Sequence, residues 1–401
     1  MRAPSVRDRP KLCIFDRAMS ISTLRWVCLG LLVGCGQLAP APRVPEGPPN
    51  GPNSPPNAPA VAPSPARFAL HVADVGTGLA VLVLGADFAL IYDGGSNDDL
   101  AQGERNRFLA FVKATLPPGR RVDHVILSHP HRDHVELLPD VLRAFPPRQV
   151  WEPGIMNPIC GYVRFLEAVQ ETQAAHHTAA FASGTHQVDP GKGVCTAAQG
   201  GVRGGAIELR HDTQIQRGLR VPLGSFAQMV FLFASGEPTA NMNDASLVVR
   251  LDLGDTRVLL PGDAEGGERK DWAAPAAPRS IEGTLLREAP EALRADVLIA
   301  GHHGSKTSSR ADFLAAVRPR VVVISSGPTR YGSVILPDPE IRERLGTHGP
   351  VLDTSVSDDT CGQHGSKIGP DADGKAGGCD NVWIELGPGK RVEARYDRRA
   401  D

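Results

Sequence analysis

The stretch SHPHRDHVELL, Ser128–Leu138, puts three histidines and an aspartate within six residues: His129, His131, Asp133 and His134. It follows VDHVIL, Val122–Leu127, an apolar run rich in β-branched residues that reads as a buried strand. A strand end fixes the backbone, and the loop after it can fold several side chains toward one point. Imidazole nitrogen and carboxylate oxygen are donors for zinc and other divalent ions. His129 and His131 suit one ion; Asp133 and His134 can turn to a second. A lone histidine reads more readily as a packed or surface residue. Four such groups in six residues bring little packing, so a metal is the better account.

Outward from this stretch, RFALHVADVG, AVLVLG and FALIYDGG read as short strands before it. A helix is expected near Arg105–Ala114. HVELLPDVLRAF has apolar residues at helical spacing, with Pro139 marking a break or a late start. Residues 151–219 are rich in Gly, Ala and Thr, with one helix expected near Tyr162–Ala175, and read as an insertion bordering the site. Strands resume at AQMVFLF. ASLVVRLDLGDTRVLLPGD forms a hairpin across a Gly-Asp turn. ADVLIAGHHGS and PRVVVISSG are buried strands around a helix near Arg310–Val317, and VWIELGPGKRVEARY closes the chain as a hairpin. The pattern is α+β: two sheets packed together and covered by helices.

The chain has 401 residues, a net charge of −2 and 41% hydrophobic residues. That balance suits a large globular core and gives no global basic field for nucleic acid or an anionic membrane. The N-terminal LRWVCLGLLVGC, Leu24–Cys35, is too short for a comfortable membrane span and reads as an export signal. Its Leu-Val-Gly-Cys end resembles the bacterial lipoprotein box, which makes Cys35 the lipidated residue. An ordinary signal peptide ranks next and a core helix last; Met19 is a plausible start. Residues 1–35 are thus a leader. Residues 36–66 are a linker: eleven of the thirty residues from Gln37 to Ala66 are proline, an extended tether of up to about 90 Å. Residues 67–398 form the folded domain. The expected location is outside the cytoplasm, lipid-anchored to a bacterial membrane; no protein partner is indicated. Four cysteines remain, Cys160, Cys195, Cys361 and Cys379, and an even number in an exported chain favours disulfides. Nearest-neighbour pairing gives Cys160–Cys195 and Cys361–Cys379, with two other pairings open.

The spelling H-x-H-x-D-H resembles the metallo-β-lactamase superfamily. The resemblance implies a four-layer αβ/βα sandwich with the metal site at one edge between the sheets. It also implies ligands downstream, each after a strand. VLLPGDAE places Asp263 as the bridging aspartate, and VLIAGHHGS places His302 and His303 where a final metal histidine belongs. LIYDGG places Asp93 behind the metal loop as its support. Neighbours on a strand end point to opposite faces, so one of His302 and His303 is expected to ligate and the other to touch substrate or the loop. DVGTGLAVLVLG, SHPHRDH, NDASLVVRLDLGDTRVLLPGD and GHHGSKTSS are most similar to the extracytoplasmic hydrolase domain of the ComEC family of DNA-uptake proteins.

That resemblance implies two divalent ions, zinc first and manganese second. It implies a metal-activated hydroxide acting on a phosphodiester, with nucleic acid or another phosphate polymer as substrate. Asp263 would bridge the ions and Asp133 orient the hydroxide. Asn243, Asp244 and Ser246 would line the pocket or support its ligands, or simply form a loop and strand start. Lys306, with Thr307 and Ser308, sits in a loop able to bind a phosphate or to form a plain turn. One ligand is missing: the superfamily has another histidine between the first cluster and the aspartate. His176, His177, His186 and His211 are the candidates, His211 the nearest. Rival functions are hydrolysis of another ester or amide (a lactone, a choline phosphate ester, a β-lactam) and a non-catalytic, lipid-anchored binding protein.

Overall fold

The computed structural model describes residues 67–180, 184–188, 195, 205–209, 211–356 and 378–397. The leader, the proline-rich linker, Cys35 and Cys361 lie outside them. In chain order the first half runs β1 (Phe68–Val72), β2 (Ala80–Leu84), β3 (Ala89–Gly94), α1 (Arg107–Thr115), β4 (His124–Ile126), α2 (Arg132–Val135), α3 (Leu138–Ala144), β5 (Gln149–Glu152), α4 (Cys160–Thr172), β6 (Ala175–Thr178), β7 (Gly184–Val188), β8 (Gly205–Leu209) and β9 (His211–Gln214). The second half runs β10 (Arg220–Gly224), β11 (Ala227–Phe233), β12 (Val248–Leu253), β13 (Thr256–Leu260), α5 (Ile281–Glu288), β14 (Val297–Ile299), α6 (Ala311–Val317), β15 (Val321–Ile324), β16 (Arg330–Tyr331), β17 (Val334–Ile335), α7 (Pro339–Gly346), β18 (Val351–Asp353), β19 (Val382–Gly387) and β20 (Arg391–Tyr396).

Two large sheets result. One has the strand order β20-β19-β1-β2-β3-β4-β5-β6-β9, the other β10-β11-β12-β13-β14-β15-β18. Alternation along each strand explains the layering. In β3, Leu90 and Tyr92 enter the core between the sheets, while Ala89 and Ile91 face the core beneath α1, α3 and α4. In β15, Val321 and Val323 enter the shared core, while Val322 and Ile324 pack under α5, α6 and α7. Strands covered on both faces read as continuous apolar runs. The architecture is the expected four-layer αβ/βα sandwich. Tyr92 links the sheets directly, its hydroxyl donating to the carbonyls of Leu247 and Leu260 at 2.9 and 3.1 Å.

Residues 151–219 are more than an insertion. They supply part of β5, and α4, β6 and β9, to the first sheet and its helical cover. Among the described residues of this region, only β7 and β8 form a separate small sheet. Its Gly, Ala and Thr content hid short strands that pair in parallel, which need no hairpin turns to mark them. Cys160 is joined to Cys195, and Cys379 is also disulfide-bonded.

A buried acid supports the loop behind the histidine doublet. Glu282 accepts the backbone N–H groups of Ser309 and Arg310 at 2.6 and 3.0 Å, and burial pushes its carboxyl from 4.5 up to about 8 against those bonds. The folded chain therefore holds a proton there that the unfolded chain has released. Stability linked to Glu282 is complete below pH 4.5 and is lost as pH rises through about 8. Urea unfolding at pH 5 and pH 9 should show the wild type losing on the order of a few kcal/mol more than Glu282→Gln. Equal losses would refute the assignment.

Candidate metal centre

The histidine loop leaves β4 at Ile126 and enters α2 at Arg132, with His131 extended at the helix start. His129 and His131 come from the loop; Asp133 and His134 come from the first helical turn. His129, Asp133 and His134 are buried. Asp93, in β3, adopts a left-handed φ of 58°, a region that Asp tolerates better than most residues. It accepts from the N–H and hydroxyl of Ser128 at 2.6 and 2.7 Å and faces His134 Nδ1 at 2.8 Å. The neighbouring Gly95 must lack a side chain, because a Cβ there would lie 2.3 Å from the backbone N of His134.

Asp263 arrives from the second sheet. Gly262 before it has φ +57°, and a Cβ at that position would lie 2.8 Å from Ser128 Cβ. The turn can therefore approach the histidine loop only with glycine in that place. The Asp263 N–H donates to Ser246 Oγ at 3.2 Å. Ser246 thus fixes the backbone of Asp263, and Asn243 lines the cleft beside it.

His302 and His303 do not follow strand alternation. Both lie in a tight turn, Gly301–Gly304, with left-handed φ values of 49° and 52°. This turn aims both side chains at Asp263: His302 Nε2 is 3.8 Å from Oδ2, and His303 Nε2 is 3.7 Å from Oδ1. The expectation that the two point to opposite faces is corrected. The Ser325 carbonyl faces His303 Nδ1 at 2.7 Å. A carbonyl only accepts, so Nδ1 carries a proton and Nε2 is the nitrogen turned to the centre.

The charges agree. Burial disfavours an ionised Asp263, but His134 and His303 beside it hold its carboxyl well below the usual range. Burial likewise opposes a charged His134, yet Asp263 and Asp93 raise it well above the ordinary value. His129 is lowered by burial and by the charge of His134.

The residues fit a metal. Nε2 of His134 and of His303 and Oδ1 of Asp263 are buried without a hydrogen-bond partner. His134 Nε2 and Asp263 Oδ1 stand 3.2 Å apart without completing a well-directed bond. Buried polar atoms are normally paired, so three orphans at one point mark a site for a shared partner. Two sets, His129 with His134 and Asp263, and Asp133 with His134 and His303, each bring one donor atom within 4.8 Å of the others. Nitrogen and carboxylate donors in such sets suit zinc and related divalent ions.

The family model for the metallo-beta-lactamase superfamily matches residues 73–327, which span all of these residues. The chain belongs to the metallo-beta-lactamase superfamily. Recombination protein 2 of Haemophilus influenzae is 28% identical over 285 residues, covering 71% of this chain and 27% of that one. Competence protein ComA of Neisseria gonorrhoeae is 32% identical over 129 residues, 32% of this chain and 16% of that one. The chain thus spans about a quarter or less of these relatives. Among solved structures, the metallo-beta-lactamase fold protein YhfI from Bacillus subtilis aligns at 13% identity and a TM-score of 0.37, covering 72% of this chain and 97% of that one.

The metallo-beta-lactamase centre forms the floor of a cleft of about 580 Å³, lined in part by Arg132, Asn243, Arg269 and Tyr331. Lys306 is not in it: its ammonium pairs with Glu340 at 2.8 Å and lies over the Trp272 ring. Of the two readings open for its loop, phosphate contact and plain turn, the ammonium's placement favours the second, because an acid on α7 draws the side chain away. Of the intermediate histidines, His176 faces Glu152 at 3.0 Å and His177 stacks on Trp151, both in β6. Neither joins the centre. The side chains of His186 and His211 lie outside the described residues.

Three contributors were not picked out from the sequence. Tyr331, on the β16–β17 hairpin, donates to Asp133 Oδ2 at 2.8 Å, and Asn97 donates to the same oxygen at 3.0 Å. Glu265 accepts from Asn243 Nδ2 at 3.2 Å and faces His302 Nδ1 at 3.3 Å. Glu265 stands two residues after Asp263, a signal available in the sequence. Tyr331 is 198 residues from Asp133, and no local pattern links them.

Proposed function

We propose that the chain is a metal-dependent phosphodiesterase, exported and tethered to a bacterial membrane through Cys35. The observation that carries the catalytic reading is one cleft joining a His/Asp floor to the guanidiniums of Arg132 and Arg269. Two divalent ions, zinc by preference and manganese second, would be held by His129, His131, Asp133, His134, Asp263 and the histidine doublet. When bound, such ions polarise a phosphoryl oxygen and make water a nucleophile near neutral pH.

The chain's own groups do the rest. Tyr331 and Asn97 hold Asp133 through Oδ2, which leaves Oδ1 to accept a hydrogen bond from an attacking water. Arg269 is braced by Asp338, and Arg132 is exposed at the cleft. Guanidinium groups match phosphate oxygens in charge and geometry. Relatives named for recombination and competence support a nucleic acid as the phosphodiester.

The test is a panel of bis-p-nitrophenyl phosphate, a chromogenic lactone and a chromogenic β-lactam, with zinc and with manganese. Turnover should be confined to the phosphodiester, and Arg132→Ala should raise its KM about ten-fold. Turnover of the lactone or β-lactam alone would overturn the reading. Absence of any turnover would favour the binding protein.

The disulfide between Cys160 and Cys195 supports an oxidising compartment. No helix among the described residues is long and apolar enough to cross a membrane. Cys35→Ser should move the protein from the membrane pellet to the soluble fraction of lysed cells. An unchanged pellet would refute the anchor.

A further inference from the structure

Sequence leaves the first metal position one histidine short, and neither His176 nor His177 fills it. Asp263 offers its two oxygens to two different sets. Oδ1 faces His134 Nε2 at 3.2 Å and His303 Nε2 at 3.7 Å. Oδ2 faces His129 Nε2 at 3.7 Å and His302 Nε2 at 3.8 Å. We propose that the doublet serves both metal positions. His303 joins Asp133 and His134 on the Oδ1 side. His302 joins His129 and His131 on the Oδ2 side and takes the place of the missing histidine. This rests on the two-ion reading above and divides its ligands.

Anchoring at Nδ1 supports the assignment. A histidine that ligates through Nε2 is ordinarily held by a hydrogen bond at its other nitrogen. Asp93 holds His134 and the Ser325 carbonyl holds His303. His302 is held in the same way, its Nδ1 lying 2.7 Å from Thr307 Oγ1 and 3.3 Å from Glu265 Oε1.

The backbone supports it as well. Two consecutive left-handed residues turn the chain so that neighbouring side chains face one centre, as a strand cannot. That conformation costs roughly 1–2 kcal/mol per non-glycine residue and persists where its surroundings fix it. The fixing bonds are present: the His302 N–H donates to the Gly262 carbonyl at 3.1 Å, and the Ser305 N–H to the His302 carbonyl at 2.9 Å. The first of these ties the doublet to the turn that carries Asp263. His302 and His131 on the Oδ2 side and Asp133 on the Oδ1 side all line the cleft, so both positions open onto it.

The test is metal content by elemental analysis after loading with zinc or manganese and desalting, with circular dichroism as the check on folding. Wild type should hold about two equivalents, and His302→Ala and His129→Ala about one each. The double variants decide. His129→Ala with His302→Ala should still hold about one equivalent, because both residues serve the same ion. His129→Ala with His303→Ala should hold none. Thr307→Val, which removes the nearer of the two groups at Nδ1, should weaken one ion by up to about ten-fold and leave the other. His302→Ala retaining two ions at unchanged affinity would overturn the proposal, as would loss of both ions when His129 and His302 are replaced together. Should a single variant misfold, His302→Gln replaces it with the same expectation. Fewer than two ions on the wild type would instead sink the two-ion reading, and the division of ligands with it.

Discussion

Asp263→Asn should lower hydrolysis by about a thousand-fold or more and leave the protein folded. Asp263 is the junction of the centre. Its oxygens face His134, His303, His129 and His302 at 3.2–3.8 Å. Asparagine has nearly the same volume, so packing persists. It replaces one oxygen by an amide NH₂, which cannot donate a lone pair to an ion and presents hydrogens to imidazole nitrogens. It also removes one of the two carboxylates, with Asp93, that raise the pKa of His134. Steady-state kinetics with metal supplied in excess measures the loss. His131→Ala should fall in the same direction. Unchanged activity in both variants would remove this cluster from the chemistry.

Asp93→Ala should cost both metal and stability. Asp93 is fully buried and holds Ser128 through two bonds and His134 through a third. Losing the carboxylate frees the ring of His134 to rotate, and losing such a support lowers metal affinity about 10- to 100-fold. It also leaves the buried Ser128 N–H without its acceptor, which costs about 1–3 kcal/mol. Alanine at a φ of 58° adds roughly 1–2 kcal/mol more. Asp93→Asn keeps the shape and tolerates that φ, so it should lose affinity with a much smaller fall in melting temperature. Metal titration and thermal unfolding of the two variants separate the effects. Unaltered affinity in both would show that Asp93 does not orient His134.

Much of this was legible in the sequence because the motif residues sit at strand ends. β-Branched runs covered on both faces gave the buried strands, and the polar residues that follow them had to be in turns. Asp93, His129–His134 and Asp263 were placed this way. Pro139 at the start of α3 marked the break after α2, as expected.

The failures have physical causes. Alternation misplaced His302 and His303 because the chain leaves the strand at Ala300 and turns left-handed, which two histidines do not advertise. Lys306 stayed open between a phosphate contact and a plain turn because its partner, Glu340, lies on a helix over thirty residues away. Tyr331 reaches Asp133 only once the two halves of the sandwich close, and Asn97 only once β3 and β4 lie side by side in the first sheet. The region 151–219 hid sheet strands because parallel pairing leaves no turn signal between neighbours.

X-ray anomalous scattering from crystals grown or soaked with zinc or manganese tests the central claim most directly. Two anomalous peaks should flank Asp263, with His134 and His303 on one side and His129 on the other, at bonding distances of about 2.0–2.2 Å. A fully loaded, folded protein with no peak at Asp263 would contradict the account.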